Sequence, residues 1–155
     1  QNVNANGIWS PYLRKHIDKV ESVQRRATKC IPGFRNLSYK ERLAKLNLPT
    51  LSYRRLRGSM IEVYKILNVY DKEVTPQFNI KPSATRGHNQ KIYVKTARKH
   101  HPQHHSFHHR VANPWNSLPS EVIHSPNLNT FKNRLDKHWN NLPIKYDHQA
   151  RDFEP

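Results

Sequence analysis

Residues 37–67 read LSYKERLAKLNLPTLSYRRLRGSMIEVYKIL, and this stretch decides the fold class. Ser38 followed by Glu41 fits a capping box, in which each side chain satisfies a free backbone donor at the start of a helix. A short helix is predicted from there; Pro49 stops it, and Thr50 is suited to cap a longer one. The apolar side chains of the longer helix recur at steps of three and four, as one face of an amphipathic helix requires. These side chains are Tyr53, Leu56, Met60, Val63, Tyr64 and Leu67.

Another amphipathic helix is predicted upstream, starting at Ser10-Pro11 and ending at Pro32-Gly33. Its apolar face has the same spacing, with one polar member, and comprises Leu13, Ile17, Val20, Gln24, Ala27 and Ile31. Cys30, the only cysteine, lies among apolar helix positions, which predicts a buried thiol. Gly58, inside the longer downstream helix, indicates a close approach to the backbone by a packed helix or by a phosphate.

The rest of the chain divides into a linker and a second helical region. Prolines and weak periodicity predict a linker over 69–106, with a short strand near 91–95 and a histidine-rich turn. Phe107, Val111, Trp115 and Leu118 then form a helical stripe that Pro114 should kink or break. A further helix turn is expected at 120–123, and a last helix over 129–139 buries Phe131, Leu135 and Trp139.

The predicted fold is therefore mainly α: a small helix cluster plus a smaller helical tail, with at most a short β-hairpin near 91–95. The predicted divisions are a disordered lead at 1–8, a helical region at 9–68, the linker at 69–106, a C-terminal helical region at 107–141 and a frayed tail at 142–155.

The charge balance favours a polyanionic partner. Lys and Arg number 27 against 11 Asp and Glu, which gives a formal net charge of +16 and a pI near 10.3. Such an excess is typical of proteins that bind nucleic acid. No apolar run approaches the ~20 residues of a membrane span, so no membrane partner is expected. One cysteine excludes an intramolecular disulfide, and the chain is interpreted as intracellular, without distinguishing nucleus from cytoplasm.

Two sets of cations are candidate contacts for a nucleic-acid backbone. On the first helix, a mixed row of Arg14, Asp18, Glu21 and Arg25 should largely neutralise itself. A separate row holds only cations and one serine: Lys15, Lys19, Ser22, Arg26 and Lys29. Away from the apolar face of the third helix lie Arg54, Arg57 and Lys65. The alternative is that these cations only keep the surface solvated. Tyr93 or Phe107 could stack on a base, although packing explains them equally well.

The histidines of HHPQHHSFHH, residues 100–109, suggest a metal site at first sight. His100, His104 and His108 are four apart, as zinc or nickel ligands on one helix face would be. However, Pro102 disfavours a helix there, and neither a cysteine partner nor a His-Glu-x-x-His arrangement is present. We therefore predict no metal site and keep these three histidines only as weak candidates.

Four segments in order carry a family resemblance: SPYLRKHIDKVESVQRRATKCIPG, the 37–67 stretch, TRGH at 85–88, and RVANPWNSLPSEVIHSPNLNTFKNRLDKHW at 110–139. Together they resemble the C-terminal part of reverse transcriptases from non-LTR retrotransposons, in particular the jockey-like branch of LINE elements. The resemblance covers residues 9–139. Pro114 and the histidine pairs depart from the family pattern.

The resemblance implies a thumb-like helix cluster at 9–68, followed by the segment after the thumb. It implies that the chain contacts RNA, DNA or an RNA–DNA hybrid through the backbone, and docks on the missing palm and fingers of the polymerase. The family's Tyr-Ala-Asp-Asp motif is absent, so the chain is expected to be inactive alone and to hold no cofactor, although the parent enzyme uses magnesium. The alternatives are a structural or protein-docking helical module, or a relic reading frame. An independent enzyme is disfavoured because no nucleophile–base pair can be assembled.

Overall fold

The computed structural model describes residues 14–71, 78–81, 87–94 and 106–150. The expectations for the lead at 1–8, the helix start at Ser10-Pro11, and both His100 and His104 lie outside these residues. The described part is mainly helical with one two-stranded pairing, as predicted. In chain order the elements are α1 (Arg14–Lys29), α2 (Tyr39–Leu46), α3 (Leu51–Asn68), β1 (Ile80–Lys81), β2 (Lys91–Ile92), α4 (Phe107–Asn116), α5 (Ser120–Ile123), α6 (Leu128–His138) and a 3-10 turn (Pro143–Lys145).

The residues cluster into two compact units. Unit 1 contains residues 58–139, and unit 2 contains the described residues 14–57 and 140–150. The division falls inside α3, between Arg57 and Gly58, whereas the sequence suggested a boundary after residue 68. Unit 2 is therefore discontinuous in sequence, with unit 1 inserted between its two parts.

The local signals of unit 2 are confirmed. Ser38 Oγ accepts a hydrogen bond from the Glu41 amide at 3.3 Å, and Glu41 Oε2 accepts one from the Ser38 amide at 2.7 Å. Asn47 ends α2 in the left-handed conformation, with φ of 48°. Thr50 Oγ1 accepts from the Tyr53 amide at 3.0 Å and so caps α3. These bonds satisfy backbone groups that a helix end otherwise leaves free, which fixes where α2 and α3 begin.

The segment 142–150 is ordered against unit 2, so the prediction of a frayed tail is wrong for these residues. The Lys145 carbonyl accepts from the Thr50 amide at 2.8 Å, and the Ile144 carbonyl accepts from Thr50 Oγ1 at 2.6 Å. Tyr146 Oη donates to Asn47 Oδ1 at 2.9 Å. We call residues 142–150 the C-terminal strap. Its polar, proline-containing sequence resembles a solvated tail, but its carbonyls satisfy donors at the start of α3.

Unit 1 buries Met60, Val63 and Tyr64 of the predicted α3 face. Tyr64 of α3 stacks on Phe131 of α6, with ring centroids 4.4 Å apart, and its hydroxyl donates to the Ser125 carbonyl at 2.7 Å. The α6 stripe predicted from the sequence is confirmed, since Phe131, Leu135 and Trp139 are all buried. The helical turn expected at 120–123 is α5.

Pro114 does not break α4, so that half of the expectation is wrong. The helix continues through the proline to Asn116, and Pro114 itself is buried. A proline in a helix removes one backbone donor. Here it lies in the last turn, and the ladder resumes with the Ser117 amide donating to the Asn113 carbonyl at 3.1 Å. The loss is one hydrogen bond, and the buried ring adds apolar contact.

The stretch 87–92 packs on the end of α4 through paired hydrogen bonds. Trp115 Nε1 donates to the Gln90 carbonyl at 2.9 Å. Asn116 holds both backbone groups of Ile92: its Oδ1 accepts from the amide at 2.8 Å and its Nδ2 donates to the carbonyl at 2.9 Å. Buried His88 donates from Nε2 to the Trp115 carbonyl at 3.2 Å. Trp115 and Asn116 thus act as a structural clamp, and Ile92 pairs with Ile80 across the short hairpin.

Candidate nucleic-acid interface

The orientation of α1 decides which of its side chains are available. The apolar face predicted from the sequence is only partly the buried one. Glu21 and Thr28 are buried, with Glu21 at 0% exposure, whereas Ala27 is exposed and Val23 is 68% exposed. The inward face is centred ~60° away from the predicted apolar face at about 100° per residue. Polar partners on neighbouring elements are the cause.

Glu21 is the centre of one polar network. Its carboxylate accepts from Tyr39 Oη at 2.7 Å and from the Leu51 amide at 3.1 and 3.3 Å. Leu51 is the first residue of α3, where a free amide and the helix dipole both favour an anion. Burial, together with the bond to Glu21, raises the pKa of the Tyr39 hydroxyl well above its ordinary value. The hydroxyl therefore stays protonated and remains a donor to the carboxylate.

A second network fixes the end of α1 to α2. Buried Arg42 donates from Nε to Thr28 Oγ1 at 3.2 Å, from Nη2 to the Arg25 carbonyl at 3.4 Å, and from Nη1 to the Leu37 carbonyl. The Thr28 hydroxyl in turn donates back to the Gln24 carbonyl at 2.9 Å. Because every one of these groups is partnered, α1 can keep polar residues on its inward face at modest cost.

Asp18 and Arg25 face the C-terminal strap. Arg25 Nη2 lies 2.9 Å from His148 Nε2, and Asp18 Oδ1 lies 3.5 Å from the same nitrogen. The Arg25 guanidinium also lies over the Tyr39 ring, 5.2 Å from its centroid. Both described acids of α1, Asp18 and Glu21, thus have contacts with residues on other parts of unit 2.

The acid-free row is exposed along its length. Lys15, Lys19, Arg26 and Lys29 are all exposed, and within the described residues none has a carboxylate at ion-pair distance. From residue 15 to residue 29 the row spans ~21 Å at 1.5 Å per residue. We call these four side chains the basic row. Their charge is available to solvent or to a polyanion, since the acids nearest in sequence point elsewhere.

The three α3 candidates differ among themselves. Arg54 is exposed in unit 2, whereas Arg57 is half-buried and has an interaction within the protein. Lys65, in unit 1, pairs with Glu62 at 3.5 Å and lies 5.9 Å from the centroid of the Tyr70 ring. Of the three, Arg54 is the one with the most available charge.

The histidine candidates are not brought together among the described residues. His108 lies edge-on to Phe78, with centroids 4.9 Å apart, and no group of three or more metal-ligating side chains occurs in the part of the chain that the structure describes. Phe107 is half-buried near Phe78 at 6.2 Å, whereas Tyr93 is exposed and makes an interaction of its own.

Two further expectations are corrected. Cys30 is exposed, because α1 is rotated away from the predicted apolar face. A Cβ built on Gly58 has no described atom within 4 Å, so no helix among the described residues packs closely on that backbone, and a close phosphate stays a prediction. Among the described residues, no helix has the length and apolar character needed to cross a bilayer.

Comparison with known proteins adds no relative. No protein-family model, no curated protein and no solved structure matches the chain.

Proposed function

We propose that this chain is the non-catalytic C-terminal part of a retrotransposon RNA-directed DNA polymerase that binds the backbone of RNA, DNA or an RNA–DNA hybrid without reading sequence. The proposal takes the family from the resemblance of the ordered segments over residues 9–139. The polymerase requires an intracellular location, since its substrates are there. In the parent enzyme magnesium would be bound outside this chain.

The observation that carries the proposal is the separation of charges on α1. The Glu21 carboxylate accepts hydrogen bonds from the Leu51 amide and from Tyr39 Oη, and Asp18 faces His148. The basic row is left exposed and unpaired within the described residues. Cations arranged in this way neutralise phosphates and release counterions, a mechanism that supplies affinity without base specificity. Arg54, which is also exposed and in unit 2, is a further candidate contact.

The test is a salt titration of binding to a mixed-sequence RNA–DNA hybrid. In the row variant, Lys15, Lys19, Arg26 and Lys29 are changed to Gln, which preserves helix propensity. If each contacts one phosphate, the slope of log K against log salt should flatten by up to ~3.6 on a duplex. The matched control changes four other cations to Gln and removes the same charge: Arg35, Lys40, Lys132 and Lys137.

The control variant should keep most of the slope. Equal losses in the two variants would mean that only bulk charge acts and that the basic row is not a binding surface. Absence of wild-type binding even at low salt would reject the proposal.

The alternative, a protein-docking module, is favoured by a different observation. Val23 of α1 is 68% exposed, and Ala27 and Cys30 are exposed as well, although the same helix buries the charged side chain of Glu21.

A further inference from the structure

The exposed side of α1 carries a second row, formed by apolar side chains. Val20, Val23, Ala27 and Cys30 are separated by three, four and three residues, the spacing of a and d positions in a heptad. Val20 is half-buried and the other three are exposed. We call these four side chains the α1 seam. It is ~15 Å long, and Cys30 extends it one residue past the helix end through its amide, which bonds the Ala27 carbonyl at 3.2 Å.

The seam is not explained by α1 being apolar on every side, because the opposite is true of the side that faces the protein. The same helix turns Glu21 and Thr28 inward and satisfies them with partners on other elements. The seam is centred ~130° around the helix from that inward face. The polar side of α1 therefore packs within the protein, and its apolar side is exposed to solvent. This arrangement is expected of a helix that has a second partner.

The charges beside the seam define that partner. With Val20 and Ala27 at a positions, Lys19 and Arg26 take the g positions that precede them. Side chains at g flank the apolar contact and select a partner helix by charge. On the other flank the e positions are Gln24 and Ile31, which carry no charge.

A second copy of this chain is a poor occupant. Its parallel register would place Lys19 and Arg26 against Gln24 and Ile31, and its antiparallel register would place cation against cation. Each copy also carries a formal charge of +16. Neither arrangement supplies an acid.

We propose that the α1 seam docks an acidic amphipathic helix of a partner protein, with apolar side chains on Val23 and Ala27 and carboxylates opposite Lys19 and Arg26. This surface goes beyond the nucleic-acid function, because its contact is apolar and its centre is Val23, which has no part in phosphate binding. The two surfaces share Lys19 and Arg26, so an acidic helix and a nucleic acid compete for them.

The experiment uses the full chain and a fluorescein-labelled, three-heptad synthetic peptide with Leu at each a and d position and Glu at each e and g position. Fluorescence anisotropy at low salt should give a Kd on the order of 10–100 µM, as a small transient contact does. A peptide of identical composition with the Leu residues moved off one face should bind at least fivefold more weakly.

Variants of two exposed valines make the test specific. Val23→Gln should raise the Kd for the amphipathic peptide by about fivefold or more and leave the binding of the RNA–DNA hybrid unchanged. The matched control is Val69→Gln, since Val69 is 58% exposed and lies outside α1; it should leave both unchanged.

Three results would each overturn the proposal: no saturable peptide binding below ~1 mM, equal binding of the rearranged peptide, or an unchanged Kd for Val23→Gln. Because hybrid binding is measured on the same variants, a failure of the seam is distinguishable from a failure of the basic row.

Discussion

Replacing Glu21 with Ala should destabilise unit 2 strongly. A charged residue on a polar helix is ordinarily at the surface, where its replacement costs little, but Glu21 is not. The carboxylate is fully buried and accepts from both Tyr39 Oη and the Leu51 amide. After truncation, both donors lose their acceptor inside the protein. The guanidinium of Arg55 also loses a nearby anion that counters the lowering of its pKa by burial.

The size of the effect follows from these contacts. A buried donor left without a partner costs about 1–3 kcal/mol, so two of them and a small void amount to about 3–4 kcal/mol in the free energy of unfolding. Glu21→Gln keeps the shape and one acceptor oxygen, and should cost about 1 kcal/mol. Glu62→Ala, which removes only an i,i+3 pair with Lys65, should cost about 0.2–0.5 kcal/mol.

The assay is native-state hydrogen exchange, because it reports on unit 2 without assuming that both units unfold together. In Glu21→Ala the Leu51 amide should exchange roughly 200- to 800-fold faster, with smaller changes in unit 1. If Glu21→Ala is no more destabilising than Glu62→Ala, or if exchange at the Leu51 amide is unaltered, then the Glu21 carboxylate does not stabilise unit 2 through these bonds.

Four further outcomes are expected. Gly58→Ala should stabilise the protein by about 0.5–1 kcal/mol in chemical denaturation, since the added Cβ meets no described atom; destabilisation would reveal a hidden contact. Asn116→Leu should cost about 2–3 kcal/mol, because both backbone groups of Ile92 lose their partner; a cost under ~0.5 kcal/mol would contradict the clamp. Burial lowers the pKa of His88 below its ordinary value, so its contribution to stability is present above about pH 6.5 and declines as the pH falls; NMR titration should locate a depressed midpoint, and an elevated one would refute this. A chelator should shift the melting temperature by no more than a few degrees, whereas a fall of tens of degrees would indicate a structural metal.

The parts of the fold that could be predicted from sequence are those fixed by local chemistry. The Ser38–Glu41 box, the Thr50 cap and the spacing of Phe131, Leu135 and Trp139 each depend on residues within one helix or at its start. Backbone donors and apolar periodicity determine such features without reference to distant elements.

The rotation of α1 could not be predicted in the same way. Periodicity assigns an apolar face, but the acceptor that the Leu51 amide needs comes from Glu21, thirty residues earlier in the chain. Helix spacing therefore predicts that Glu21 belongs to a self-neutralising surface row and that the Cys30 thiol is buried. The available signal was weak: α3 begins after a proline and a threonine, with no acid in its first turn. A helix dipole with no acid in its first turn favours an anion from elsewhere in the chain.

Within the candidate site, the basic row is predicted from the sequence. Helix spacing alone puts its four cations on one side of α1, apart from the acids: Lys15, Lys19, Arg26 and Lys29. The α1 seam is not predicted, because the sequence assigns Val20, Ala27 and Cys30 to the buried side of the helix and Val23 to none of the predicted rows. The clamp at Trp115 and Asn116 was also missed as a set of hydrogen bonds, since an asparagine that pairs with a distant backbone has no sequence pattern of its own.

The C-terminal strap has a consequence for how the chain is made. Thr50 finds its backbone partners at Ile144 and Lys145, which emerge from the ribosome only after all of unit 1. At roughly 5–20 residues per second, the intervening segment takes several seconds to synthesise. During that interval α1, α2 and the start of α3 lack the strap, and their exposed donors are open to misassembly or to chaperones. Of the two units, unit 2 thus begins before residues 58–139 are made and closes after them.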